Sequence, residues 1–405
     1  MINKTKIVDA PDALTTQISA WLTLLFACAC GLTAANIYYA QPIIGPISTE
    51  LNLSEATAGL IVTLTQIGYG LGLLLVVPLG DMFENRRLAV SILGIGAIGL
   101  LISAISNSAV LFLAASFLVG LGSVTVQILV PFAASLSPEA TRGRVVGNVM
   151  SGLLLGIMLA RPVSSLITSF STWRTVFYLS FFVMLGLALL LRIVLPKREM
   201  KVNIPYAQML ASMARLVRNT PALRRRALYH ACMFGAFSLF WTTIPLVLAG
   251  PDFGMNQQGI ALFALLGAAG AIAAPLAGRV ADRGWIRPAT AVALIMEIIA
   301  FAITHVVPLG SKISLTILVL SGILLDFAVS TNLVLGQRVI FVLSPEYRSR
   351  LNGLYMTTFF CGGAIGSALG TWVYAYYGWI GASTIGIAFG VIALVYFLTE
   401  RNHQQ

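Results

Sequence analysis

The sequence predicts an all-α membrane protein of twelve transmembrane helices in two similar six-helix bundles, and three observations carry that prediction. Of the 405 residues, 58% are hydrophobic and only 10% are charged, whereas a water-soluble domain carries about 25% charged residues. Apolar stretches recur that are long enough to cross a hydrocarbon core of roughly 30 Å, which takes about 20 residues of helix. Finally, Lys and Arg crowd into the loops of one side. The apolar runs are continuous, without the every-second-residue alternation of a membrane β-barrel.

The spans fall at residues 20–44, 56–79, 88–106, 110–135, 146–168, 174–196, 227–249, 257–278, 288–308, 313–338, 351–376 and 379–398. They divide the chain into a tail (1–19), a first bundle (20–196), a linker (197–226), a second bundle (227–398) and a closing tail (399–405). The first 19 residues are polar and the apolar run after them is of spanning length, so a retained first helix is expected and not a cleaved signal peptide. Within the linker, 207–217 has helix-compatible spacing and reads either as a helix on the membrane surface or as a tether.

The net charge of +11 is explained by topology. Of the 25 Lys and Arg, 22 lie in the termini, the linker and the loops of the same side; Arg174 and Lys312 lie opposite, and Arg161 lies inside a span. This positive-inside pattern places both termini and the linker in the cytoplasm of a cell whose inner (plasma) membrane holds the protein. No basic face forms a separate domain, so no nucleic-acid partner is expected. Cys28, Cys30, Cys232 and Cys361 all fall inside spans and read as small apolar filling.

The two halves repeat each other at their cytoplasmic turns. Gly80-Asp81 with Arg86-Arg87 follows the second span, and Gly278-Arg279-Val280-Ala281-Asp282-Arg283-Gly284 follows the eighth, the two aspartates being 201 residues apart. Pro138-Glu139 with Arg142-Gly143-Arg144-Val145-Val146-Gly147 follows the fourth span, and Pro345-Glu346 with Arg348-Ser349-Arg350-Leu351-Asn352-Gly353 follows the tenth, 206 residues on. In these turns the chain resembles the major facilitator superfamily from about residue 20 to 398. The second turn keeps most of that family's G-x-L-A-D-R-x-G-R-R signature, while the first has Glu84 at the usual glycine. The resemblance implies that Asp81, Arg86, Arg87, Asp282, Arg283, Arg142 and Arg348 act as conformational latches at helix ends. The run Asn36-Ile37-Tyr38-Tyr39-Ala40-Gln41-Pro42 and the fifth span are similar to the drug and metabolite:proton antiporter branch. Two positions depart from that branch: Ser116 stands where it carries arginine, and Arg161 where a glycine precedes Pro162.

Among the acidic residues only Glu297 and Asp326 lie well inside spans, and Arg161 is the lone basic residue there. Charges at that depth cost several kcal/mol unless paired or hydrated, so all three are candidates for proton coupling, a structural ion pair being the alternative. Asp326 shares a helical face with Ser330 and Gln337, and the resemblance places its span against the central cavity, making it the first candidate proton carrier. Glu297 lies on a span that the resemblance makes peripheral, where an interhelical hydrogen bond is the competing role. Counted from the cytoplasmic turns, Arg161 and Asp326 share a depth of about 25–29 Å, and they are expected to approach one another in at least one access state. Asn36, Tyr39, Gln66, Gln127, Gln337 and Trp241 are candidate solute contacts; helix–helix packing is the alternative for each. His230 is expected near the cytoplasmic interface.

The chain contains no phosphate-binding G-x-x-x-x-G-K-[ST] loop, no H-E-x-x-H and no Cys/His cluster of metal spacing, so neither an enzyme nor a cofactor nor a metal is expected. The expected function is secondary transport: export of a drug or metabolite in exchange for protons, with proton-coupled uptake of a small polar metabolite as the alternative. The expected partners are the small-molecule solute, protons and the bilayer, and the expected state is a monomer.

Overall fold

The computed structural model describes residues 19–197, 205–267, 273–343 and 348–400. Expectations for the two terminal tails lie outside these residues, as do the side chains of Asp81 and Arg348. The described residues contain helices and no strand. Nine of the helices are long and apolar enough to cross a membrane.

Helix α1 (Ala20–Ala35) starts at Ser19, whose Oγ accepts the Leu22 N–H at 3.1 Å, satisfying one of the donors left free at a helix start. It ends nine residues short of the expected span. Pro42 offers no N–H and pushes Gln41 away from helical geometry, and the chain passes through turns until the short α2 (Ile44–Glu50). The first half continues with α3 (Glu55–Leu75), α4 (Asn85–Ile105), α5 (Ala109–Ser135), α6 (Glu139–Phe170) and α7 (Trp173–Val194). After α8 (Tyr206–Asn219) come α9 (Pro221–Ala249), α10 (Gln257–Gly267), α11 (Ala273–Asp282), α12 (Ile286–Ala302), α13 (Lys312–Leu343) and α14 (Arg348–Leu398). Pro221 stands at the start of α9, where its missing N–H costs nothing. Inside α14, Gly378 has φ 61° and ψ −161°, a conformation that a glycine adopts without steric cost. It breaks the 51 residues into two limbs at the boundary expected between 376 and 379.

Two large apolar cores form. One is built from residues between Leu25 and Leu195; the other lies mainly between Tyr229 and Phe397 and also takes in residues of the first half, among them Tyr38, Tyr69 and Ala160. The same device recurs in both. Where α1 crosses α6, a Cβ on Gly156 would lie 2.1 Å from the Gly31 carbonyl oxygen; where α9 crosses α14, one on Gly366 would lie 1.9 Å from that of Gly235. Only glycine allows backbones this close. Gly31 and Gly235 are 204 residues apart, in keeping with the offsets of the repeated turns.

Two seams join the halves. Along the first, α3 lies on α14 for most of its length: Gly59 N–H donates to Thr371 Oγ1 (3.2 Å), Thr63 Oγ1 meets Ser367 Oγ (2.7 Å), and Thr357 Oγ1 reaches the Gly70 carbonyl (3.4 Å). Along the second, α6 packs on α10 and Ser165 Oγ donates to Gln257 Oε1 (2.7 Å). Helix α11 packs on α13 and α12. At the start of α6, Arg144, Asn148 and Ser151 are exposed and line a groove with Ala20, Thr23, Leu24 and Ala27 of α1.

Helix α8 is docked on the protein. Met209 and Met213 are buried, the latter against Leu223, Ala227, Ile340, Leu351 and Tyr355, and Tyr206 Oη donates to the Leu75 carbonyl at the end of α3 (2.7 Å). Its apolar face thus covers the joint between the halves, where the sequence left a surface helix or a tether open.

Candidate functional site

The three intramembrane charges are placed very differently. Glu297, on α12, is fully buried beside Gly390 on the second limb of α14, and neither carboxyl oxygen has a hydrogen-bond partner among the described residues. Arg161 and Asp326, by contrast, come together between the halves, both against Trp241. The indole Nε1–H of Trp241 donates to Asp326 Oδ1 at 2.8 Å, and the Arg161 guanidinium lies 4.4 Å from the centre of the Trp241 ring. Among the described residues no direct ion pair joins Arg161 to Asp326. The tryptophan is the link, with a hydrogen bond at its edge and a cation on its face.

Arg161 occupies a cage. Besides Trp241, its guanidinium lies over Phe237 of α9 at 5.0 Å and over Tyr38 at 5.1 Å. Its Nε donates to Gln41 Oε1 at 2.7 Å. Both Tyr38 and Gln41 come from the unwound stretch after α1, so the break ahead of Pro42 builds one wall of the site. Arg161 is 5% exposed, Gln41 1% and Trp241 2%. The cluster is nearly closed to solvent. Ser165, one turn beyond Arg161, closes it on one side through Gln257.

The remaining solute candidates scatter. Asn36 is buried and its Oδ1 accepts from Ser180 Oγ on α7, which turns it into a helix–helix contact. Tyr39 lines an apolar groove of about 400 Å³ between α1 and α6, with Leu32, Leu159 and Val163. Gln66 donates across the halves to Ser238 on α9 (2.9 Å) and keeps Oε1 without a partner. Gln127 donates to Tyr69 Oη (3.2 Å), and Gln337 makes a long contact with Asn352 (3.4 Å). Of the six, Trp241 alone touches Asp326. Gln41 and Tyr38 are neighbours of Arg161 that helical spacing did not single out, whereas Phe237 shares a helical face with Trp241. His230 is fully buried on the ring of Phe359 (4.3 Å) and near Tyr355 (5.1 Å).

The turns take two forms. In the first, Glu84 receives Arg86 (3.2 Å) and Arg87 (2.8 Å), and Arg86 also donates to the Arg192 and Leu195 carbonyls at the end of α7. In the second, Asp282 pairs with Arg338 of α13 at 2.8 Å, while Arg283 is exposed. Arg142 donates to the Ala134 carbonyl (3.2 Å).

Comparison with known proteins agrees with this architecture. The chain is 39% identical over 389 residues to the uncharacterized transporter YgaY of Escherichia coli O157:H7, covering 96% of this chain and 98% of that protein. It is 30% identical over 369 residues to SCO4007 of Streptomyces coelicolor, named a probable transporter, covering 91% and 85%. The fold matches the nucleoside transporter NupG with a TM-score of 0.76 at 15% identity, over 93% of this chain and 98% of that one. It also matches a bacterial homologue of the lysosomal transporter Spinster in an inward-facing, occupied conformation, with a TM-score of 0.75 at 15% identity, over 93% and 96%. The model of the Major Facilitator Superfamily matches residues 26–340 and 295–405, and the chain is a multi-pass membrane protein that belongs to this superfamily of transporters.

Proposed function

We propose that the protein exports a small drug-like or metabolic solute across the inner membrane by alternating access, in exchange for protons. In this reading twelve spans form two six-helix bundles (20–196 and 227–398) with both termini cytoplasmic, and the bundles rock about the α3–α14 seam. The observation that carries it is the Arg161–Trp241–Asp326 chain. It joins an intramembrane cation on one half to an acid on the other, next to the seam where α6 packs on α10. A site that both halves contribute to is remade each time they rock, so a proton on Asp326 and a solute beside Arg161 can each bias the same two-state element. The Asp282–Arg338 pair and the Glu84 cluster lie at the basic end and act as latches for one state.

The test has two steps. Extracellular metabolites of an overexpressing strain are compared with those of a deletion strain to find the solute, and purified protein is then reconstituted in vesicles loaded with a pH-sensitive dye. Export by exchange predicts that an imposed pH gradient, acid on the destination side, drives the solute uphill, and that adding solute moves protons the opposite way. Protons and solute moving in the same direction would replace exchange by coupled uptake, and solute flux indifferent to every pH gradient would remove the proton.

A further inference from the structure

We propose that the transported solute carries an oxyanion, in the first instance a carboxylate, and that Arg161 and Gln41 are the donors that hold it. The inference rests on the transport reading above and adds the chemistry of the cargo. A guanidinium has five N–H donors and no acceptor. Arg161 places Nε on Gln41 Oε1 at 2.7 Å, and its Nη2, though buried, has no partner among the described residues. Since Arg161 can only donate, it fixes the amide of Gln41 with the oxygen towards itself and the NH₂ away. That NH₂, also buried, is likewise without a partner. Two buried, adjoining donors on the first half therefore await an acceptor, whereas buried donors are as a rule paired.

The surroundings do not supply that acceptor. Tyr38, Phe237 and Trp241 present ring faces to the guanidinium, and Asp326 accepts from Trp241 without reaching Arg161 as an ion pair. The rings exclude water, which strengthens a charge-assisted bond formed between them. A carboxylate accepts from a guanidinium and an amide at once, through two oxygens, and its charge completes that of Arg161. A cationic solute would have to find its place beside that same arginine, with Asp326 already bonded to the indole.

The test uses the purified full-length protein in nanodiscs and three probes of one shape and different charge: benzoate, benzamide and benzylamine, with phenylacetate and indole-3-acetate as larger carboxylates. Binding is read by thermal shift and by quenching of tryptophan emission. We expect the carboxylates to bind and benzamide and benzylamine not to compete with them. Arg161→Gln and Gln41→Leu should each weaken carboxylate binding by about tenfold or more, and Arg161→Lys, a point charge without the planar fork, should lie between. Asp326→Asn should keep carboxylate binding. If Arg161→Gln does not fold, Gln41→Leu still reads the same pair of donors. Benzylamine binding more tightly than benzoate, unchanged benzoate affinity in either variant, or a wild type that binds none of the three carboxylates would each overturn the proposal. The transport reading fails separately: carboxylate binding without any proton-linked flux would remove it and leave the oxyanion site, and proton-linked flux of a cationic solute would do the reverse.

Discussion

The two halves are alike where helices cross and unlike where charge is buried. Gly31 against Gly156 in the first half is answered by Gly235 against Gly366 in the second, at nearly the offset that relates the cytoplasmic turns. Carrying Arg161 forward by 206 residues, however, lands on Ser367, which bonds Thr63 within the α3–α14 seam. Carrying Asp326 back by the same step lands on Gly120, where a Cβ would lie 1.9 Å from the Thr65 carbonyl oxygen. The repeated scaffold supplies the machine, and the asymmetric residues supply one charge of each sign, one per half. Function is to be sought where the repeat is broken.

The largest effect should come from setting the two members of that unequal pair against each other. Arg161→Gln is expected to lower the initial rate of solute flux by about a hundredfold, the loss of a charge-assisted hydrogen bond in a dry site. Ser367→Ala, which removes one interhelical bond worth about 0.6 kcal/mol, should change the rate by less than about threefold. Equal damage from both, in vesicles matched for folded protein, would mean that the seam matters as much as the charge. Asp326→Asn preserves an oxygen for the Trp241 N–H, so the fold should hold. Solute exchange down its own gradient should persist in this variant while pH-driven accumulation disappears. Accumulation that survives would take the proton away from Asp326.

Glu297 sharpens the same contrast inside the second half. It is fully buried, but among the described residues its carboxyl has no hydrogen-bond donor and no ion pair, and it lies between α12 and α14 instead of between the halves. Glu297→Ala should therefore cost about 2–3 kcal/mol of stability by opening a cavity, seen as a lowered melting midpoint. Solute flux per folded molecule and its dependence on the pH gradient should stay as in the wild type. A changed proton stoichiometry would move coupling onto α12.

Much of the scaffold was legible in the sequence, because membrane spans announce themselves by length and composition and the repeated turns by identity. The site was legible in its charges and not in its walls. Arg161 and Asp326 are conspicuous because buried charge is costly, whatever surrounds it. Gln41 and Tyr38 were hidden by a geometric assumption: a helix continued through residues 36–44 puts Asn36 and Tyr39 on the inward face. The break before Pro42 turns Tyr38 and Gln41 to Arg161 instead, and leaves Asn36 to Ser180 and Tyr39 to an outer groove. The proline was the available signal. Glu84 shows the reverse case, since a departure from the signature glycine proves to be the carboxylate that gathers Arg86 and Arg87.

The two turns offer a smaller test of likeness between halves. The Glu84 side chain is 8% exposed and Asp282 is 64% exposed. Glu84→Gln takes the carboxylate from the largely buried Arg86, while the exposed Arg87 stays solvated without it, and should cost about 1–2 kcal/mol, lowering the yield of folded protein. Asp282→Asn breaks a surface pair worth at most about 1 kcal/mol. Its effect should appear in transport rate and not in folded yield, because a pair this exposed adds little to the fold and its proposed role is to hold one access state. Flux and yield falling together in both variants would mean that the turns are equivalent props and not latches.

The smallest effect is expected at the opposite end of the first half, where Glu50 binds two neighbours at once. Its Oε2 accepts the Trp173 indole N–H at 2.6 Å, and its Oε1 accepts Arg174 at 2.9 Å; Arg174 also donates to the Ala104 and Ser106 carbonyls. The Arg174 bonds hold the Glu50 carboxyl below the ordinary carboxylate range. A carboxyl with a depressed folded pKa stabilises the fold above its unfolded value, and that contribution fades as pH falls through the folded value. Glu50 is about half exposed, so solvent screening keeps the pair within about 0–1 kcal/mol. Glu50→Gln should accordingly melt slightly below the wild type at pH 7, with the two midpoints converging as the medium is acidified past the lowered pKa of Glu50. A gap that widens towards acid pH would contradict the assignment. A gap independent of pH would place the contribution in packing or bond geometry that the glutamine changes, and not in the charge of the carboxylate. The C-terminal half has no described ion pair at this end, so no equivalent pH dependence is expected from it, and a titration of midpoints in variants of that half provides the matching control.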